Sequence, residues 1–348
     1  MRKILIVLLA LGSIYNAAFA CDLCTVYLGI QPNDFKNSFS VRHRYRLFER
    51  DFFSTNTGTI GINTQTAQKN GFSNKHARIE TEDIPQGEWE NYKEAYNSYD
   101  LAANFYIGTK FQLNAALTFS DNYVYQNDSI TANIGGIGDL SLLLKYQVFN
   151  SIEKEGPVNK KAFIQRITVG SGLSLPTGNF NKSSVVDFQT AFEANKVLGT
   201  PEMELDAHLQ AGTGSFAYLF LLEYLVSYKG FGLNTNASYK LNGTNKNGFK
   251  FANRLNSNGT FFYLFKINDK LKIMPTTGIS YESSKRDSQN DEPFINSGGN
   301  TLFINYGFNL FIDKLGMEFT YYQPTKEYLI DIQPYNNKRI ITQITYYF

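Results

Sequence analysis

Along most of the chain, apolar and polar residues alternate one for one. The run Phe111-Gln112-Leu113-Asn114-Ala115-Ala116-Leu117-Thr118-Phe119-Ser120 puts a wholly apolar face against one that is polar or small, the period of a half-buried β-strand. The same period marks 38–48, 95–106, 139–149, 162–175, 215–228, 231–241, 249–265, 271–283, 300–312, 315–323 and 339–348. Twelve strands are thus predicted, most of them ten to fifteen residues long. Globular strands average about five or six residues, whereas a tilted strand crossing a bilayer needs about nine to eleven.

The connections alternate in length. Short ones at 107–110, 229–230, 266–270 and 313–314, with a longer one at 150–161, are interleaved with polar segments at 49–94, 121–138, 176–214, 242–248, 284–299 and 324–338. Outer-membrane barrels pair short periplasmic turns with longer outer loops in this way, and an even strand count returns both termini to the periplasm. The pattern therefore predicts an all-β fold, a transmembrane antiparallel β-barrel of about twelve strands over 38–348. A soluble sandwich with one buried face also alternates.

The charges favour the membrane. When each strand takes the parity that turns its apolar residues outward, Arg42, Arg44, Arg46, Asp100, Asp139, Lys145, Arg166, Glu223, Lys240, Lys250, Arg254, Lys272, Glu282, Glu318 and Arg339 all point to the lumen. A Lys or Arg on the lipid face at mid-bilayer costs about 2–4 kcal/mol, so this segregation is what a membrane barrel requires. Tyr45, Phe105, Phe149, Phe163, Tyr228, Phe231, Tyr281 and Phe311 lie near strand ends, as interfacial girdle residues do, although aromatic β-propensity would also place them there. Ile340, Thr342, Ile344, Tyr346 and Phe348 share one face of a last strand that ends on an aromatic carboxylate, like the segment that outer-membrane barrels offer to their assembly machinery.

Residues 1–20 read as a secretory signal: Arg2 and Lys3, an apolar core at 4–11, then Ala18-Phe19-Ala20 before Cys21. A short periplasmic segment, 21–37, would precede the barrel. Beyond the signal no run of eighteen apolar residues occurs, which excludes a helical membrane protein although 43% of residues are hydrophobic and 15% aromatic. A net charge of +2, from 33 basic and 31 acidic residues, gives no basic face for nucleic acid. The expected partners are outer-membrane lipid and lipopolysaccharide, the barrel assembly machinery through the strand ending at Phe348, and a small solute.

Several segments resemble outer-membrane barrels of Bacteroidota catalogued as transporters and grouped with the phenol-degradation meta-pathway barrel family. They are Cys21-Asp22-Leu23-Cys24, Gly29-Ile30-Gln31-Pro32, Arg42-His43-Arg44-Tyr45, Gly136-Ile137-Gly138-Asp139-Leu140, Gly172-Leu173-Ser174-Leu175-Pro176-Thr177-Gly178 and the run from Gly232 to Leu241. The likeness extends along nearly the whole mature chain and is most specific in the last two. It implies a channel for small molecules and names no solute. Relatives often follow the CxxC with Gly-Cys, whereas Thr25-Val26 stand here, so a third cysteine for metal is missing from that place.

Cys21 and Cys24 suit a local disulfide, free thiols, a soft-metal pair or lipidation at Cys21. Haem attachment is excluded because Thr25 rather than His follows. A zinc or copper site wants about four ligands, and no second Cys or His pair lies nearby. Asp287, Asn290, Asp291 and Glu292 cluster in a loop without the spacing of a calcium loop. For catalysis, His43 falls on lipid parity, opposite Ser40, His76 and His208 fall in loops, and no Gly-x-Ser-x-Gly elbow occurs. No cofactor and no enzymatic activity are expected. Arg42, Arg44 and Arg46 form a ladder in a lumen set of ten basic and five acidic residues, which fits a porin-like channel with a weak anion preference. The same side chains could instead pair with the five carboxylates and close the lumen, leaving a structural or adhesion barrel that acts through its loops.

Overall fold

A computed structural model of the protein describes residues 35–55, 58–62, 87–151, 163–180 and 207–348. Twelve antiparallel strands form the wall: β1 (Ser38–Thr55), β2 (Gly87–Ile107), β3 (Phe111–Gln126), β4 (Ser129–Asn150), β5 (Phe163–Leu175), β6 (Ala217–Tyr228), β7 (Phe231–Asn242), β8 (Arg254–Tyr263), β9 (Leu271–Ser284), β10 (Gly299–Ile312), β11 (Leu315–Leu329) and β12 (Tyr335–Tyr347). Each pairs with its neighbours in sequence, and β1 pairs with β12 from Ser38↔Tyr347 to Glu49↔Tyr335. The sheet is therefore closed, and no barrel strand is left with an unpaired edge.

Alternation decides which face is which. On β6 the inward set Ala217, Leu219, Leu221, Glu223 and Leu225 is buried while Tyr218, Phe220 and Leu222 are exposed. Exposed Val41, Leu101, Leu144, Val169, Ile279, Phe308 and Ile344 continue that apolar outer surface around the ring. An apolar exterior around a polar interior inverts the order of a soluble barrel, and lipid is the solvent that makes it favourable. Among the described residues no helix is long and apolar enough to cross a membrane; strands do the crossing here. Leu222→Arg, at the middle of β6, should accordingly cost about 2–4 kcal/mol of folding free energy. Urea-dependent folding into lipid vesicles measures this, and a cost near zero would mean that this face does not meet lipid.

At one end the connections are tight. Lys229 (φ 49°) and Gly230 (φ 92°) turn β6 into β7 in two residues, both in the left-handed region that a right-twisted hairpin demands. The 121–138 segment, expected as a long loop at the other end, is instead a hairpin. Strands β3 and β4 run out to a two-residue turn at Asn127 and Asp128, with φ of 49° and 63°. Strands β1, β2, β11 and β12 are also longer than expected, so that 330–334 is all that joins the last two. The strand expected over 249–265 is divided. Its barrel part is Arg254–Tyr263, while Phe249–Lys250 leaves the wall and pairs with Ser288–Gln289 in a small sheet above the loop end. Lys250 is thus a residue of this outer sheet and not of the barrel wall.

Candidate functional site

Eleven of the fifteen charged positions assigned to the lumen are buried: Arg42, Arg44, Arg46, Asp100, Lys145, Arg166, Glu223, Lys240, Arg254, Glu282 and Arg339. Asp139, Lys250, Lys272 and Glu318 are half-buried. The wall brings several into ion pairs. Arg44 chelates Asp100 through Nε and Nη2, each 2.9 Å from a carboxylate oxygen, and Thr118 Oγ1 donates to the same carboxylate at 2.7 Å. Glu223 accepts from Arg166 at 3.4 Å on the adjacent strand and lies 3.8 Å from Lys145. Arg339 reaches across two strands to Glu282, and Arg42 donates to Gln343 at 2.7 Å. Cys21, Cys24 and His76 lie outside the described residues.

Three apolar groups also face inward among these charges. Near the turn end Leu225, Phe262, Met274, Phe311 and Tyr347 cluster on β6, β8, β9, β10 and β12, while Ser38, Asn104, Gln112 and Asn114 hold the same level polar on β1–β3. Higher up, Phe303, Tyr322 and Ile341 pack together, with the Arg339 guanidinium 4.4 Å from the Phe303 ring. The third group, Phe48, Tyr96, Val124, Ala132 and Ile134, lies near the loop end and is completed by Leu209, a residue of no barrel strand.

Leu209 gets there because part of the 176–214 segment folds into the barrel. Residues Ala207–Leu209 make one 3-10 turn, and Asn122 donates its side-chain amide to the Leu209 carbonyl at 2.9 Å. The next residues dock on Asp139. That carboxylate accepts from Thr213 N at 3.0 Å, Thr213 Oγ1 at 2.6 Å and Gly178 N at 3.0 Å, so one side chain gathers β4, the turn after β5 and the inward segment. Gly212 and Gly178 touch backbone to backbone; a Cβ on Gly212 would stand 2.7 Å from the Gly178 carbonyl carbon. The glycine is needed for this approach. Asp139, expected only as one lumen charge among fifteen, is the anchor of a segment folded into the barrel. This residue sits within a bulge, where Leu117↔Leu140 jumps to Phe119↔Ile137 and Gly138 and Asp139 together oppose Thr118, a place where a strand kinks and re-aims a side chain.

His208 ties the same segment to the loops. Its Nε2 donates to Asp287 at 2.6 Å, and its ring packs against Phe249, Phe251 and Phe294 at centroid distances of 6.2, 5.7 and 6.3 Å. Asp287 also accepts from Ala252 N at 2.6 Å. Burial alone would push this carboxyl up, but the His208 hydrogen bond and charge, the Arg254 charge and the Ala252 amide together hold it below its usual range. A depressed carboxyl pKa contributes stability above the unfolded value, and this is lost as pH falls through the folded one. Acid below the ordinary carboxylate range should therefore loosen residues 207–212. Hydrogen exchange of their amides as a function of pH reads this, and Asp287→Asn should remove the pH dependence. His43, by contrast, stacks on Tyr99 on the outer face at 4.8 Å, away from buried Ser40. Asn290 and Asp291, with φ of 52° and 67°, form a hairpin turn, and no metal-binding cluster is found among the described residues.

Between the docked segment and the charged wall lies a cavity of about 140 Å³. Arg44, Arg46, Lys240, Arg254 and His208 line it, with Glu94, Asp139, Ser98, Asn122, Tyr96 and Phe251. Among buried charged residues described, nine are basic and five acidic, the five being Asp100, Glu223, Glu282, Asp287 and Glu327. Buried basic side chains thus outnumber buried acidic ones among the described residues.

The architecture defines a closed, up-and-down barrel of the outer-membrane type with an internally folded loop segment. No protein-family model and no curated protein matches the chain. Among solved structures it is similar to an outer membrane channel from Pseudomonas putida F1, with a TM-score of 0.53 and 12% identity over 92% of this chain and 100% of that one. At such identity the likeness concerns the fold, which it supports as that of an outer-membrane barrel. The β-domain of the Bordetella autotransporter BrkA (TM-score 0.41, 8% identity, 90% of this chain and 100% of that one) and the translocator domain of the autotransporter NalP of Neisseria meningitidis (0.40, 10%, 91% and 90%) are more distant, and no argument rests on them.

Proposed function

We propose that the protein is an outer-membrane channel that passes small polar solutes, with a preference for anions and a constriction formed by residues 207–214. The observation that carries this reading is the segregation of the wall: an apolar outer surface, and nine buried basic side chains of which four, Arg44, Arg46, Lys240 and Arg254, line a chamber. A barrel built only to display loops gains nothing from burying so many charges, each of which costs several kcal/mol unless water or a partner meets it. Ion pairs within the wall meet part of that cost, and the water of an open lumen lowers the rest. The solved channel from Pseudomonas putida supports the same class through its fold.

The rest of the reading follows from it. The chain would be exported by residues 1–20, offer the strand ending at Phe348 to the barrel assembly machinery, and sit in outer-membrane lipid and lipopolysaccharide. The resemblance of the segments quoted above would put it beside the phenol-degradation meta-pathway barrels of Bacteroidota, as a channel and without a solute taken from that name. Nothing in the wall calls for a reaction, and we assign no enzymatic step.

Planar-bilayer recording under a salt gradient tests the proposal. Steady conductance with a reversal potential on the anion side is expected. The triple variant Arg42→Gln, Arg44→Gln, Arg46→Gln should shift that potential toward cations, since each loses a fixed positive charge on one face of β1. Unchanged selectivity would remove the ladder from the conducting path, and no conductance from heat-modifiable, folded protein would favour the closed barrel.

A further inference from the structure

The outer wall of the barrel carries a groove. On β7 and β8 the register pairs Thr235↔Gly259 and Ala237↔Ser257 set four small residues side by side. They face the lipid, because Leu222 is the partner of Ala237, Ile279 is the partner of Gly259, and both of these are more than half exposed. Larger neighbours rise around this floor and leave a groove of about 720 Å³, walled by Leu222 and Tyr224 on β6 and by Ile279, Tyr281 and Ile304 on β9 and β10. Phe261, two residues beyond Gly259, closes it toward the turn end. The Thr235 hydroxyl donates to the Tyr224 carbonyl at 3.4 Å, so this floor hydroxyl is already met by the wall.

At the loop end the groove runs up to two lysines. Tyr281, Leu302 and Lys326 are successive register partners on β9, β10 and β11, so Lys326 shares the outward face and stands about 10 Å along the rim from Tyr281, two strand spacings away. Lys285 follows directly on β9, past Tyr281 and Ser283. Both lysines are exposed, and neither has an ion-pair partner among the described residues. Elsewhere on the rim the fold supplies its own counter-charge: Asp128 lies 2.6 Å from Lys93, and Asp331 lies 2.8 Å from Arg286, the residue next to Lys285. Lysines near the membrane interface cost little, and they attract anionic headgroups. Hydrocarbon tails are as apolar as the wall, so the groove supplies shape and the cations supply preference. We propose that the groove seats one acyl chain of a lipid A molecule of the outer leaflet, with the headgroup phosphates on Lys285 and Lys326. Two separated cations answer the two phosphates that such a headgroup carries, whereas a simple glycerophospholipid brings one. The site needs the membrane barrel and does not depend on a conducting lumen.

Native mass spectrometry of the full-length protein folded in detergent and titrated with purified lipid A tests this. One lipid A per barrel should be retained, at least about tenfold more tightly than the same lipid stripped of its phosphates, since charge-assisted contacts are worth at least that factor. Lys285→Gln together with Lys326→Gln should abolish the difference, whereas Lys93→Gln, on β2, should leave it. Gly259→Phe fills the groove from its floor. A Cβ at Gly259 has only the Thr235 methyl within 4 Å, at 3.8 Å, so the change is accommodated, and it should weaken retention about tenfold or more by displacing the chain from its contacts. Equal retention with and without phosphates by the unaltered protein, which needs no variant to fold, overturns the site. Equal retention of phosphatidylglycerol overturns the assignment to lipid A. Retention undiminished by Gly259→Phe places the lipid elsewhere and overturns the groove as its seat. A lipid-free dimer that Gly259→Phe disperses gives the groove to a second copy of the chain and overturns the proposal as well.

Discussion

Replacing Gly212 with valine should open the lumen and raise single-channel conductance several-fold. A side chain there meets the Gly178 backbone at 2.7 and 2.8 Å, well inside the 3.5–4.0 Å at which carbon atoms attract. Both partners are main chain, so no rotamer can give way, and the inward segment must leave Asp139. Asp139→Ala reaches the same state from the other side. It strips three hydrogen bonds from a carboxylate, each of the charge-assisted kind worth about 1.5–3 kcal/mol, two of them from Thr213 of the inward segment and one from Gly178 of the turn against which it docks. Neither change touches the strand ladder, so both proteins should remain heat-modifiable barrels. Conductance equal to that of the unaltered protein in both variants would show that the segment is not the constriction.

The barrel was legible from sequence because lipid imposes a rule residue by residue. A strand in hydrocarbon must turn apolar side chains outward, and a lumen tolerates the rest, so period two persists for as long as the strand is in the membrane. Where the wall rises beyond the lipid both faces meet water and the rule lapses. That is why β3 and β4 were expected to stop near Ser120 and Asp139: Asp121, Asn133 and their neighbours carry no alternation to read, although the ladder continues to Gln126↔Ser129. Lys250 was misplaced for the opposite reason. Phe249 and Phe251 extend the apolar period of β8, but they are buried against His208 and Phe294 in the outer sheet.

The inward segment was not legible as such, because its local pattern does not say which site it covers. Leu209 belongs to a short period-two run, Met203, Leu205, Ala207, Leu209 and Ala211, that lies inside the segment expected as a loop, and its site is assembled from β1, β2, β3 and β4. One signal was available in hindsight: Phe48, Val124 and Ile134 continue the inward parity of their strands with large apolar residues, which a water-filled mouth would not favour. An apolar patch inside a polar lumen asks for an apolar cover. Likewise the pairing of His208 with Asp287 spans 79 positions, and only the closure of the ring brings those loops together.

Glu223→Gln is expected to be the most destabilising of the wall substitutions, and its size reports how dry the lumen is at that level. The variant keeps the volume of the side chain and removes the charge that faces both Arg166 at 3.4 Å and Lys145 at 3.8 Å. Two unit charges about 4 Å apart interact by about 1 kcal/mol in bulk water and about 4 kcal/mol at the effective dielectric of a protein interior. Removing one partner of a buried pair costs about 3–5 kcal/mol, because the other charge stays desolvated, whereas an exposed pair such as Lys93–Asp128 is worth about 0–1 kcal/mol. Lys145 and Arg166 are both more than nine-tenths buried, so the larger figure is expected at the urea midpoint of vesicle-folded protein. A loss below about 1 kcal/mol would mean that water reaches Lys145 and Arg166 freely. In that case the path of solutes runs along β4–β6, and the charges there belong to the pore and not to the packing of the wall.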